Sequence, residues 1–445
     1  MALPPWTVEL LRRGLTDVAA RARDGETIEK IRSRANDLVQ DLPETAARGI
    51  ESASRGIDKL VKSAGGSTES LRRWSEKFTA ISMPCINASG TWIDARVTTP
   101  VDESVIAAGI EALHGSRVRL PESGERLTKK LSRAAGVDDE HAVIATNNFA
   151  AAIVALFSLS AERPFLVPRS EVFRLAGRPL PDLTDSSFAV VCEIGASDGF
   201  DAADLDGFDQ AALIRSDHGV REIEFLENMP AGISTVAILR VGLVRRDVAS
   251  DQKSGQAKDI VAFPTAVDLL RRGCEIVLIP GDGLIGGPES GLLIGNHSVI
   301  ERIIKADAWP ALAADDAKVA MLCKALKGVS GGPTETSPVF SLLATSVENL
   351  KGRAERMATR LTAGETQQTV QITADEAAVI AGGRWQIPSR QIRVRRPGVS
   401  GTSFAERLAA RNPSLLVGHD SEGVVIDLRW VDPAHDNDIV TALLA

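Results

Sequence analysis

Three stretches of this chain carry residue types that could do chemistry. The first is Cys274 to Gly295, where two short apolar runs flank a turn with Gly281, Asp282, Gly283, Gly286, Gly287 and Pro288. So many glycines permit positive φ and a close backbone approach to something. By its residues alone the stretch is a strand–turn–strand, either the rim of a site or only a turn. The second is Thr146-Asn147-Asn148-Phe149-Ala150-Ala151, which follows the apolar run Ala142–Ala145 and opens an Ala-rich segment. A strand, an Asn147 or Asn148 cap and a helix start make an anion site, because free N–H groups and the helix dipole point the same way. The same pattern also describes a simple cap. The third is Arg117 and Arg119, two guanidinium groups at alternate positions. They could grip an anion by bidentate hydrogen bonds, or be surface charges on a loop.

The elements that position these residues read as α/β. Strands are expected at Ala142–Ala145, Phe165–Val167, Phe188–Ile194, Ala212–Ile214, Ser234–Val241, Glu275–Ile279 and Leu292–Ile294, with helical patterns between several of them. That alternation predicts a mostly parallel sheet covered by helices. A helix over Gly124–Ala135 stops at Gly136, and Ser298 to Glu301 has capping-box spacing. Residues 242–263 form a polar loop without periodicity. Lys324 and Lys327 are expected to face solvent. From residue 346 a smaller α/β region is expected, with a helix over 347–361, strands at Thr369–Thr373 and Ile392–Val394, a hairpin around His419–Glu422 and a closing helix from Asp436. Before the sheet, residues 1–80 read as a helical arm, with Arg12, Arg13, Arg21 and Arg23 as its compact basic cluster.

Composition bounds the rest. The chain has 445 residues, 44% hydrophobic and 25% charged, with a formal net charge of −8. That length suits two or three domains, and the acidic balance argues against the whole molecule being a nucleic-acid sponge. Cys85, Cys192, Cys274 and Cys323 are far apart and lack zinc-ligand spacing, which suggests reduced thiols, no metal and a cytoplasmic setting. No apolar run approaches ~18 residues, so no membrane span is expected. Tyrosine is absent.

The motifs together resemble bacterial selenocysteine synthase, the L-seryl-tRNA(Sec) selenium transferase family. Residues 281–291 are similar to that family's Gly-Asp-Lys-Leu-Leu-Gly-Gly-Pro run, Thr146–Ala151 to its Asn-Asn-Asn-Ala-Ala-Ala, residues 114–120 to Gly-Ser-Arg-His-Arg-His, residues 84–91 to its Ile-Asn-Ala-Thr-Gly opening, and Leu416–Leu428 to its C-terminal pattern. The likeness covers about residues 81–445. It implies a fold-type-I pyridoxal phosphate (PLP)-dependent transferase fold, like aspartate aminotransferase. A large domain would span 81–345, a small C-terminal domain 346–445, and an N-terminal arm 1–80 would hold tRNA. It also implies PLP as cofactor, Asn147, Asn148 and Asp282 at inherited cofactor positions, Arg117 and Arg119 near substrate, and a homo-oligomer built on dimers.

The departures are as specific as the likeness. The family's Schiff-base lysine position holds Gly283, and both histidine positions of the Arg-x-Arg stretch are apolar, Val118 and Leu120. The strand whose aspartate would hold the pyridinium N–H is missing or reduced to the 242–263 loop. The expectation is therefore a non-catalytic relative that does not bind PLP covalently and acts as a binding or assembly protein. The alternative is an active selenium transferase, or another PLP-dependent lyase or transferase, that holds PLP non-covalently. A relative of the glucosaminate-phosphate ammonia-lyase kind shares the opening strand.

Overall fold

The computed structural model describes residues 82–116, 118, 123–175, 177–183, 188–218, 222–223, 225, 229–245, 263–330, 338–364 and 367–445. The arm read at 1–80, and Arg117, Arg119 and Leu120, lie outside the described residues.

A seven-stranded sheet forms the centre. Its order is His141–Thr146, Gly291–Asn296, Cys274–Pro280, Ile233–Ile238, Ala211–Ser216, Phe165–Pro168 and Val191–Ile194. Gly291–Asn296 runs antiparallel to both neighbours, and every other pairing outside it is parallel. The inner strands are buried along nearly their whole length. This explains their continuous Val, Ile and Leu runs, since a sheet covered on both faces has no solvent-facing alternation. One face packs on Phe149–Phe157 and His297–Lys305, through Ile153, Leu156, Ile300 and Ile303. The other packs on Ser123–Ala135, Ala266–Arg271 and Asp316–Ser330, through Leu131, Leu269 and Leu322.

A second sheet has five strands, ordered Cys85–Ala88, Ser414–His419, Gly423–Asp427, Gln391–Arg395 and Thr369–Thr373. The helices Val347–Thr362, Gly401–Ala409 and Asp436–Leu444 cover it. Its first strand is the earliest of the described strands, which reading in chain order assigns to the large domain. Cys85–Ala88 instead pairs in parallel with Ser414–Val417. Thr91–Ile93 then joins Glu376–Ile380 and Gln386–Pro388, a hairpin whose Gly382-Gly383 turn is legible in the sequence while its strands are not. Buried Arg429 binds these parts together. Its guanidinium donates to the carbonyls of Thr345 at 2.7 Å, Leu342 at 3.3 Å and Pro388 at 3.0 Å.

Two local expectations change. The helix after the central turn begins at His297, with Asn296 before it and no side-chain cap, so Ser298 lies inside the first turn and no Ser298–Glu301 capping box forms. The strand read from Phe188 begins at Val191. Lys324 and Lys327 are exposed, as expected. Among the described residues no helix is long and apolar enough to cross a membrane, and no group of His, Cys, Asp and Glu could hold a metal.

Candidate functional site

The parallel strands converge on one edge, the carboxyl end of the sheet, where open α/β sheets place their ligand crevices. The three segments there are Thr146–Asn148, Gly281–Ser290 and the ends of Ala211–Ser216 and Ile233–Ile238.

The Gly281–Ser290 turn closes on itself. Gly281 N–H donates to the Ser290 carbonyl at 2.9 Å, and Gly287 N–H to the Gly281 carbonyl at 3.0 Å. A Cβ on Gly281 would lie 2.0 Å from Ser290 Oγ, so this close approach requires glycine. Gly283 is buried and takes φ +62°, the left-handed region. It lies under the Thr91–Thr99 segment. Trp92 Nε1–H donates to its carbonyl at 3.3 Å, its own N–H donates to Thr99 Oγ1 at 3.3 Å, and a Cβ there would be 3.1 Å from Ile93 Cδ1. Trp92 in turn packs on Trp430, ring centroids 5.5 Å apart. Asp282 beside it is largely shielded from solvent. Burial pushes its carboxyl up to about 6, and Glu289 adds repulsion in the same direction.

At the second segment, Asn148 is the N-cap: its Oδ1 accepts the Ala151 N–H at 2.8 Å. Asn147 is held by the Trp309–Leu312 turn. Its N–H donates to the Leu312 carbonyl at 2.9 Å, its side-chain amide to the Ala311 carbonyl at 3.5 Å, and the Lys318 ammonium donates to its carbonyl at 2.5 Å. Both asparagine side chains are thus engaged within the protein. Lys318 escapes sequence reading because its contact with Asn147 spans 171 residues.

In the third segment Asp217 and His218 are absent from the sequence reading, which stops their strand at Ile214. Asp217 follows that strand, fully buried, and its two oxygens accept the N–H groups of Arg240 and Val241, each at 2.8 Å. Arg240 Nε lies 3.5 Å from Asp217 Oδ1. Burial raises the Asp217 carboxyl above its ordinary range, against the pull of Arg240. His218 comes next, and burial and Arg240 lower its affinity for a proton. Behind this edge Arg215 and Glu171 form a buried ion pair at 2.7 Å, completed by the Ser216 N–H at 2.7 Å. Strands Ile233–Ile238 and Cys274–Pro280 pair directly, so no further strand lies between them. Most of the 242–263 stretch read as a loop, residues 246–262, lies outside the described residues; on either side of it Leu243 N–H donates to the Pro264 carbonyl at 3.0 Å and Ala266 N–H to the Leu243 carbonyl at 2.8 Å.

The sequence model described as L-seryl-tRNA selenium transferase matches residues 114–432, well over half of the chain. The chain belongs to that family. The L-seryl-tRNA(Sec) selenium transferase of Desulfotalea psychrophila is 26% identical over 310 residues, which are 66% of this chain and 65% of the relative. The chain thus spans slightly less than two thirds of that relative's length. The one of Hyphomonas neptunium is 26% identical over 370 residues, 77% of this chain and 78% of the relative. In fold, this selenium transferase family member is similar to D-glucosaminate-6-phosphate ammonia-lyase, with a TM-score of 0.58 at 15% identity, covering 81% of this chain and 95% of that one. The mostly parallel sheet with one reversed strand is the fold-type-I PLP-dependent transferase fold expected from the sequence.

Proposed function

We propose that this member of the selenium transferase family forms no covalent link to PLP and works as a binding or assembly protein. The observation that carries the reading is Gly283. Taken as the position of the family's lysine, it offers no amine, has a left-handed backbone that disfavours any side chain, and is covered by Trp92, Ile93 and Thr99. Gly283 offers no attachment point for a cofactor, and one polar atom of each inherited amide, Asn147 Nδ2 and Asn148 Oδ1, is already used by the protein. Asp282 has hydrogen-bonding capacity but no nucleophilic nitrogen. The experiment is reduction with borohydride after incubation of the purified protein with PLP, followed by peptide mass mapping. The expected result is no pyridoxyl-lysine. A modified lysine in the crevice would end this reading.

A second reading is favoured by the retained Asn147-Asn148 turn at a helix start and by the half-buried Lys318 amine beside it. In it, the protein remains a selenium transferase, or another PLP-dependent lyase or transferase, with PLP held non-covalently. Conversion of seryl-tRNA(Sec) in the presence of selenophosphate and PLP supports it, and absence of turnover removes it. Under either reading the partners proposed are further copies of the chain in a dimer-based oligomer and tRNA at residues 1–80, in the cytoplasm. Arg117 and Arg119 would hold an anionic substrate group. Native mass, and the salt slope of tRNA binding, test these.

A further inference from the structure

We propose that a slot along the outer edge of His141–Thr146 binds a small neutral apolar molecule carrying one hydrogen-bond-accepting oxygen. This site is separate from the crevice, and its ligand depends on neither reading above.

His141–Thr146 is the first strand of the central sheet, so one of its edges has no neighbouring strand of that sheet. Two helices on opposite faces, Ser123–Ala135 and His297–Lys305, flank that edge. Between them lies a cavity of about 450 Å³, a size that suits a small organic ligand. Its walls are Leu127 and Leu131 from one helix, Ile300 and Ile304 from the other, with Trp309 and Val319. Ala142 and Ala145 line it from the strand, and their single methyl groups leave the space open.

The charges around the slot are matched before any ligand arrives. Lys129 pairs with Glu125, and Lys305 with Glu301 at 3.3 Å, each within its own helix. Thr128 Oγ1 donates to the Gly124 carbonyl at 3.1 Å. His297, the remaining titratable lining group, is exposed. No excess charge draws an ion in, and moving an ion among these apolar walls would be costly.

The strand edge supplies one donor. The N–H and C=O of a strand residue point to the same side. Val143 N–H donates to Ser132 Oγ at 2.9 Å, and the Ala145 carbonyl accepts the Ala314 N–H at 2.9 Å, so both residues turn these groups away from the sheet. Val143 is fully buried. Ala145 borders the cavity, and its N–H has no hydrogen-bond partner among the described residues. A buried donor left unpaired is costly. An added peptide strand would need the alternate groups of this edge as well, and Ser132 and Ala314 already hold two of them. A single carbonyl or hydroxyl oxygen satisfies Ala145 while an apolar body fills the slot.

The test is isothermal titration of the full chain with three probes: acetophenone; ethylbenzene, which lacks the oxygen; and benzoate, which is charged. Acetophenone should bind saturably, one per chain, and at least several-fold tighter than the other two. Gly124 lines the slot, and a Cβ there would meet nothing within 4 Å. Gly124→Phe should therefore fill the space and weaken binding at least tenfold without lowering the urea midpoint. Ile304→Asn, at a half-buried wall position, should weaken binding several-fold, while Ile110→Asn, at an exposed position on the helix Glu103–Leu113, leaves it unchanged. No saturable binding of acetophenone, tighter binding of benzoate, or equal binding by wild type and both slot variants overturns the proposal. Equal binding of acetophenone and ethylbenzene overturns the part given to Ala145 N–H. A native mass that falls in Gly124→Phe identifies a second copy of the chain as the occupant and also overturns it.

Discussion

Trp92 and Gly283, 191 residues apart, are joined by a 3.3 Å hydrogen bond from the indole N–H to the glycine carbonyl. The bond ties a short strand of the hairpin sheet to the turn at the carboxyl edge of the central sheet. It fixes the glycine's peptide in an orientation that leaves its Cα hydrogens against Ile93.

Gly283→Lys should therefore destabilise the protein without restoring a cofactor link. A side chain at positive φ costs about 1–3 kcal/mol, and the 3.1 Å approach to Ile93 adds to it. Urea unfolding should show a lower midpoint. Combining it with Ile93→Ala should not recover wild-type stability, because the backbone strain persists and a cavity is added. A Gly283→Lys protein as stable as wild type would show that the turn is not fixed as described.

Asn148 has a structural duty that separates two kinds of substitution. Asn148→Ala removes the acceptor for Ala151 N–H and should cost about 1 kcal/mol. Asn148→Asp keeps a cap acceptor and should spare most of that stability. If both variants unfold together at the wild-type midpoint, the asparagine is not capping.

Asp282 makes stability depend on pH with an unusual sign for a carboxylate. Its folded value of about 6 lies above the ordinary 3.8, so between those values the folded state holds more proton than the unfolded one. Its contribution to stability is present below about pH 4 and is lost as pH rises through about 6. Urea midpoints of wild type should fall over that window relative to those of Asp282→Asn, which has no group to titrate. Parallel pH profiles for the two proteins would remove the assignment.

The two halves of the candidate site were unequally legible. The Gly281–Pro288 turn and the Asn147-Asn148 cap lie within single short stretches, where glycine, asparagine and flanking apolar runs act through local backbone physics. The C-terminal hairpin and the alternation of strands and helices were readable for the same reason, and so was the sheet they build.

The amino-acid order by itself determined the α/β class, the central turn, the cap and the presence of glycine at position 283. Only the tertiary structure decided that Cys85–Ala88 joins the C-terminal sheet, that Trp92 and Thr99 close over Gly283, that Lys318 reaches Asn147, and that Asp217, His218 and Arg240 share one edge. The physical reason is range. Caps and turns are set by neighbours a few residues away, whereas strand order and the meeting of side chains from separate strands depend on which apolar faces find one another when the sheet is buried.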